Sequence, residues 1–327
     1  FTVGGGSSSE TTTTLNIKAG TLNLTDEKGA GALNRTVINV SGGTLTVNST
    51  VGKIERLNVS GGTVSLSGGT FGWIDAPNGA KAGDLLAKGY AFKNAGGQFV
   101  DYTDSANAMT NVSVVACEHG SVDMTTGVCK YCNTKFAARV MSNDDGSIWY
   151  VEKLGSGIYD NTVTLFADSG IVSAGGTCSI DLNGYNMPYH VHVKGTTTIM
   201  GEGDISQVRL GDVGLKSPGT LRITNDDVTV GTLVVYYNGE TKLAHGTFGK
   251  ITVDSTATTK VTMGALLAEG YAFYGKDGNG AYTVLQKMGA TELKDVKVLA
   301  HTHQYTNGVC DCGDECDVLL NGTQKFS

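Results

Sequence analysis

The chain has 327 residues and a formal net charge of −7, with 47 glycines and only 3 prolines. Glycine without a Gly-X-Y period, and with so little proline, excludes a collagen-like triple helix. The negative charge leaves no excess of cations for phosphates or anionic lipids, so we expect neither a nucleic-acid partner nor membrane insertion. No apolar run is long enough to predict a membrane-spanning helix.

A short repeat runs through the first 75 residues. The segment Asn39–Val47 (NVSGGTLTV) recurs 19 residues later, from 39 to 58, as Asn58–Leu66 (NVSGGTVSL), and Ile17–Leu24 is a looser copy before them. Apolar and small polar residues alternate in each copy, which predicts β-strands, and each Gly-Gly pair permits a left-handed corner. Hairpins in a sandwich or barrel are one possible architecture. The fixed period favours the other, a solenoid of stacked coils with Thr, Ser and Asn ladders outside.

A longer duplication overlies this repeat. Leu85–Phe92 (LLAKGYAF) matches Leu266–Phe273 (LLAEGYAF) near the other end of the chain. Each copy predicts a single helical turn ended by glycine at its C-cap. We read the chain as a fragment of a longer polypeptide with three parts: a module without its start at 1–136, a second module at 137–317, and a tail or the start of another module at 318–327.

The first of two cysteine clusters follows the pattern C-x-H, nine residues, C-x-x-C. Its members are Cys117, His119, Cys129 and Cys132. Three thiolates and one imidazole suit tetrahedral zinc, and four protein ligands leave no open position, so we expect a structural ion. A local disulfide such as Cys129–Cys132 remains the alternative.

The second cluster offers five candidates for four places: His301, His303, Cys310, Cys312 and Cys316. In the long duplication His301 falls opposite Cys117. An exchange of Cys for His preserves zinc ligation but would destroy a disulfide, so we expect two structural zinc sites. The sequence does not decide between Cys312 and Cys316.

The remaining residues with possible chemistry are scattered. Cys178 is isolated and is expected to be a small buried residue. His190 and His192 alternate on a predicted strand and share one face, which is either an exposed face or a ligand site. No G-x-S-x-G elbow, Walker loop or H-E-x-x-H motif occurs. We therefore expect a protein that is not an enzyme, with no catalytic residues.

Several segments carry a resemblance to a known group of proteins. Ser179–Tyr185 (SIDLNGY) is similar to the Asp-Leu-Asn-Gly turn near the start of right-handed parallel β-helices. The lead-in at Trp149–Phe166, the duplicated leucine segment and the His-x-His and Gly-Val-Cys motifs at 301–316 resemble those of tandem-module surface proteins of gut Firmicutes. The first cluster departs from that pattern, because Cys117 replaces the leading His and no third cysteine follows Cys132.

Some of those surface proteins are immunoglobulin-binding B-cell superantigens of commensal bacteria. The resemblance, which covers most of 137–316 and the part at 70–132, implies an extracellular, cell-surface binding module whose partner is an immunoglobulin Fab. The alternatives are a structural spacer, a glycan or mucin adhesin and, less favoured, a β-helical polysaccharide lyase or hydrolase. We expect an all-β monomer: two right-handed parallel β-helix modules in tandem, each ended by a small zinc knuckle.

Overall fold

A computed structural model describes most of the chain. The described residues are 12–25, 35–48, 52–170, 173–254, 261–285, 290–302, 305–306 and 309–310. Their contacts divide the chain into two compact units, Phe1–Lys135 and Phe136–Ser327. Within the described ranges, no helix has the length and apolar character needed to cross a membrane.

Unit 1 consists of short strands and two 3-10 turns. In chain order these are β1 (Thr13–Ile17), β2 (Thr21–Thr25), β3 (Thr36–Val40), β4 (Thr44–Asn48), β5 (Lys53–Val59), β6 (Thr63–Leu66), β7 (Thr70–Asp75), η1 (Ala82–Leu85), β8 (Tyr90–Lys93), η2 (Tyr102–Asp104) and β9 (Ala108–Ala116).

Two parallel sheets form the walls of unit 1. One wall has the order β1-β3-β5-β7 and the other β2-β4-β6, so that the first three coils each contribute one strand to each wall. The register places Asn39 beside Asn58, and Thr44 beside Thr63, as the 19-residue repeat predicts. The parallel β-solenoid is confirmed, and the sandwich or barrel alternative is wrong. The right-handed coiling remains a prediction.

Unit 2 follows unit 1 in the sequence, from Phe136. Its strands and its 3-10 turn are β10 (Ala138–Ser142), β11 (Ile148–Val151), β12 (Gly157–Tyr159), β13 (Asn161–Leu165), β14 (Ser173–Gly175), β15 (Thr177–Asp181), β16 (Met187–Val193), β17 (Thr196–Met200), β18 (Gly203–Leu210), β19 (Thr220–Ile223), β20 (Val228–Val235), β21 (Thr247–Val253), η3 (Gly264–Leu266), β22 (Tyr271–Lys276), β23 (Tyr282–Val284), β24 (Glu292–Ala300), β25 (Tyr305–Thr306) and β26 (Val309–Cys310).

Unit 2 is a second parallel solenoid. One wall has the parallel order β13-β15-β17-β19, with β10 and β11 added antiparallel at its edge. The other wall has the parallel order β12-β14-β16-β18-β20-β21. Alternate side chains such as Val191, Val208, Leu233 and Ile251 point inward and are fully buried. The alternation follows from the two-residue period of a strand. Successive side chains point to opposite faces, so each strand has one row of apolar side chains facing inward and one row facing outward.

An antiparallel layer ends the parallel wall in each unit. In unit 1 it is β9 and β8, added beyond β7, and in unit 2 it is β24, β22 and β23, added beyond β21. The duplicated leucine segment lies beside this layer. The predicted glycine-capped helical turn is wrong here: η1 ends at Leu85 and its C-cap, Leu86, is extended. Gly89, at φ +80°, instead forms the turn that opens β8.

Candidate metal centre

The first cysteine of the cluster is fixed by the antiparallel layer. Cys117 directly follows β9, and its N–H donates to the carbonyl oxygen of Gly89 over 2.8 Å, at the turn that precedes β8. Two residues later His119 takes a left-handed conformation, with φ +53°. This reversal brings the imidazole back toward the cysteine instead of continuing the strand.

A tight loop then returns the chain to the cluster. The carboxylate of Asp123 accepts the N–H groups of Thr125 and Thr126 at 2.9 and 2.7 Å, and these bonds lower the pKa of the carboxyl group, with Thr126 contributing most. Such an Asx turn substitutes for regular structure in a short loop. Beyond it Val122 and Cys129 form an antiparallel bridge, which sets Cys129 against the first half of the loop.

The C-x-x-C segment closes around its own backbone. The Asn133 N–H donates to the Cys129 carbonyl over 2.9 Å, and the Cys129 N–H donates to the Thr134 carbonyl over 2.9 Å. Between the two cysteines, the ring of Tyr131 stacks on Phe99 with centroids 4.9 Å apart. The turn therefore presents both sulfurs on one side and anchors the loop to the body of unit 1 on the other.

The four side chains converge as predicted. One possible ligand atom from each of Cys117, His119, Cys129 and Cys132 lies within 4.8 Å of all the others. The Sγ atoms of Cys117 and Cys129 are 3.7 Å apart, and Cys132 Sγ lies 3.4 Å from His119 Nδ1. The cluster could hold a metal ion.

These distances test the donor set against zinc. With zinc about 2.3 Å from sulfur and about 2.0 Å from nitrogen, tetrahedral geometry separates two sulfurs by about 3.8 Å, and sulfur from nitrogen by about 3.5 Å. Both measured separations agree with these edges. A disulfide bond needs about 2.05 Å between its two sulfurs. Cys129 and Cys132 are free thiols in the structure, so the two residues do not form the local disulfide that the sequence left open.

The electrostatics of the cluster favour one thiolate before any ion binds. A hydrogen bond from Cys129 lowers the pKa of Cys132 to about 4, outweighing its partial burial, and Thr134 bonds to the same sulfur. The same bond raises the pKa of Cys129, while burial raises that of Cys117. A metal ion would displace the protons that remain on these two sulfurs.

The second cluster is described only in part. His301 follows β24 as Cys117 follows β9, and its N–H likewise donates over 2.8 Å, to the carbonyl of Gly270. His301 Nε2 lies 3.4 Å from the buried Cys310 Sγ. The structure thus brings together two of the five predicted ligands. The other three, His303, Cys312 and Cys316, lie outside the described residues.

The other three residues considered in the sequence analysis, Cys178, His190 and His192, lie on strands of the unit 2 solenoid. Cys178 is buried, as predicted, and donates its S–H to the Gly175 carbonyl over 2.7 Å. His190 and His192 share the outward face of β16, and His192 Nε2 lies 2.8 Å from the carbonyl oxygen of Gly211. Sequence reasoning missed Thr134 beside Cys132.

The chain is thus an all-β protein of parallel β-solenoid units, and its Cys3His cluster in unit 1 could hold a metal ion. A comparison of the chain with protein-family models, with curated proteins and with solved structures finds no match in any of the three. The relation to surface proteins of gut Firmicutes, and to the superantigen group among them, stays a prediction.

Proposed function

We propose that the chain is a non-catalytic binding module of a bacterial cell-surface protein, with zinc in its knuckles and a flat solenoid face as its binding surface. The observation that supports this is an outward face in unit 2, formed by β16, β18, β20, β21 and β24 in continuous register. We call it the outer face. Its two rows are His190, Gln207, Thr232, Lys250 and Lys294, and His192, Arg209, Val234, Thr252 and Glu292.

The outer face differs in charge from the chain as a whole. It carries the cations Arg209, Lys250 and Lys294 against the single carboxylate of Glu292, whereas the chain has a net charge of −7. A local positive patch on an acidic protein favours a partner with a neutral or acidic surface and orients its approach.

The side chains of this face are restrained before a partner arrives. Arg209 Nε donates to Gln207 over 2.9 Å, and Glu292 lies 2.7 Å from the ammonium of Lys250 and 3.2 Å from that of Lys294. Exposed ion pairs contribute little to stability. They do limit side-chain motion, and this reduces the entropy lost when the face is covered.

The partner we propose is an immunoglobulin variable domain, which presents flat β-sheets of its own. The resemblance of the repeated motifs to superantigen-like surface proteins selects this partner over a glycan. Two tandem units would add avidity if both engaged. On this proposal the binding follows the framework family of the antibody and ignores its antigen specificity.

The experiment immobilises the protein and passes over it Fab fragments that share one variable-gene family but differ in their antigen-binding loops. Equal retention within one family, and different retention between families, supports the proposal. The variant K250E/K294E should weaken binding by about tenfold or more, because it reverses the charge of the outer face.

The matched control is Lys153→Glu, at an exposed lysine of the same unit outside the outer face, and it should bind as the unaltered protein does. Equal loss in the control would place the surface elsewhere. If no Fab from pooled human immunoglobulin is retained, the immunoglobulin partner is wrong, and the spacer or glycan alternatives take its place.

A further inference from the structure

The two knuckles begin at equivalent positions but with different ligand types. The backbone of Cys117 is held by Gly89 and that of His301 by Gly270, each directly after a nine-residue strand. A thiolate has one donor atom and needs no selection. An imidazole has two nitrogens, only one of which can face the ion, so a histidine at this position has to be held in one orientation and one tautomer.

Tyr274 is placed to do this. It lies on β22, and its Oη is 2.8 Å from Nδ1 of His301. Its ring meets the imidazole edge-on, at 67° and with centroids 6.0 Å apart, and it packs against Ala272 and the buried Cys310. Tyr274 therefore contacts His301 and packs against the small buried cluster that contains Cys310.

The first unit has a different residue at this place. The duplication aligns Tyr274 with Lys93, which follows Phe92 as Tyr274 follows Phe273. Lys93 extends over the ring of Phe99, 4.5 Å from its centroid. The tyrosine hydroxyl thus occurs in the unit whose leading ligand is a histidine, and a different side chain occurs where that ligand is a cysteine.

We propose that Tyr274 is a positioning residue of a second zinc site, which it sets up by accepting the Nδ1–H of His301. The Nε2 lone pair then faces the ion together with Cys310 Sγ, and their 3.4 Å separation matches the edge of about 3.5 Å expected for tetrahedral zinc. This inference rests on the proposed zinc knuckles. It makes the two sites differ: His119 would ligate through Nδ1, which faces Cys132, and His301 through Nε2.

The first test measures this difference directly. In zinc-loaded full chain, nitrogen NMR shifts of labelled histidines should show His301 protonated at Nδ1 and metal-bound at Nε2. In the same sample His119 should be metal-bound at Nδ1. A metal-bound Nδ1 at His301 overturns the proposal.

The second test uses chelator competition, which releases the ions in order of affinity. Tyr274→Phe keeps the ring and removes the hydroxyl, so it should weaken one zinc by about 10- to 100-fold, as the loss of an outer-shell partner does, and leave the other unchanged. Tyr271→Phe, three residues earlier on the same strand, is the matched control and should release both ions as the unaltered protein does.

A third variant separates positioning from packing. In a His301→Cys background the second site starts with the same residue type as the first, and Tyr274→Phe should then have no effect on zinc release. An equal effect in both backgrounds would show that the tyrosine acts through packing and would overturn the proposal. One bound zinc, insensitive to Tyr274→Phe, would also overturn it while leaving the first knuckle intact. Absence of zinc from both sites would remove the proposed knuckles themselves.

Discussion

Asn58 donates its side-chain amide to the amide oxygen of Asn39 on the neighbouring coil, over 2.8 Å, and Asn39 donates in the same way to Asn16. The three residues form a ladder across coils of unit 1. Asn39 and Asn58, the first residues of two copies of the short repeat, therefore lie side by side on neighbouring coils.

Breaking the centre of this ladder should destabilise unit 1. Asn39→Ala removes two hydrogen bonds and leaves the amides of Asn16 and Asn58 without that partner, so we expect a loss of about 1–3 kcal/mol in the free energy of unfolding. Asn48→Ala, at the exposed end of β4, should cost less than about 0.5 kcal/mol. Urea unfolding of both variants compares them, and equal losses would contradict the ladder's role.

The Gly-Gly corners make a second prediction, on the stacking of coils. A Cβ on Gly43 would lie 2.5 Å from the carbonyl oxygen of Gly20, and the residue has φ +69°. Gly20 has a similar φ of +77° but open space around its Cβ position. Gly20→Ala should therefore cost only the left-handed strain of about 1–2 kcal/mol.

Gly43→Ala adds the clash between coils to that strain and should be clearly more destabilising. Thermal unfolding of the two variants measures the difference. A Gly43→Ala variant as stable as Gly20→Ala would mean that the coils are spaced more widely than the structure has them.

Metal removal should loosen the first knuckle and leave the solenoid folded. Tyr131 lies between two ligands and stacks on Phe99, so loss of the ion should free this ring pair while the buried interior of β3, β5 and β7 stays packed. We expect a chelator to increase amide exchange at 118–134 and to leave exchange in those strands unchanged. Global unfolding on chelation would show that the ion supports the solenoid itself.

The contacts of Asp212, in the turn after β18, predict that the protein loses stability at acidic pH. Asp212 accepts the Leu215 N–H over 2.9 Å and pairs with the Lys194 ammonium at 3.0 Å, and these contacts lower the pKa of its carboxyl group below the ordinary 3.8. Because the folded pKa is depressed, the stabilisation is fully present above the ordinary value and is lost as the pH falls through the folded value.

Asp212→Asn should therefore be less stable than the unaltered protein at pH 7, and the difference should shrink as the pH falls below about 4. The exposed Asp144→Asn serves as the control, and urea unfolding across this pH range measures both. A difference between Asp212→Asn and the unaltered protein that stays constant with pH would contradict the assignment.

The sequence predicts those parts of the molecule that repeat or that have fixed ligand spacing. The match between Asn39 and Asn58 reveals a coil because stacked coils put identical residues side by side. The C-x-H and C-x-x-C spacings reveal the cluster because a short loop has few ways to bring Cys117 and Cys129 together.

The sequence alone does not predict the antiparallel layer or the contact between Tyr274 and His301. The residue pattern of β24 predicts a strand but not which strands pair with it. Tyr274 reaches His301 because Tyr271 pairs with Ala300, and this register is set by the tertiary structure. The duplication did contain a signal, the replacement of Lys93 by a tyrosine in the copy that carries the histidine. Its meaning depends on knowing which imidazole nitrogen faces which side chain.

We propose that Cys117, His119, Cys129 and Cys132 bind one structural zinc ion. The most direct measurement is metal analysis of the full chain purified without chelator, beside the variants Cys117→Ser and Cys178→Ser. Cys117→Ser should lose one equivalent of zinc, whereas Cys178→Ser, which alters a buried cysteine outside the cluster, should lose none. Equal zinc in all three proteins, or no zinc together with a Cys129–Cys132 disulfide by mass spectrometry, would show that these four residues do not form a zinc site.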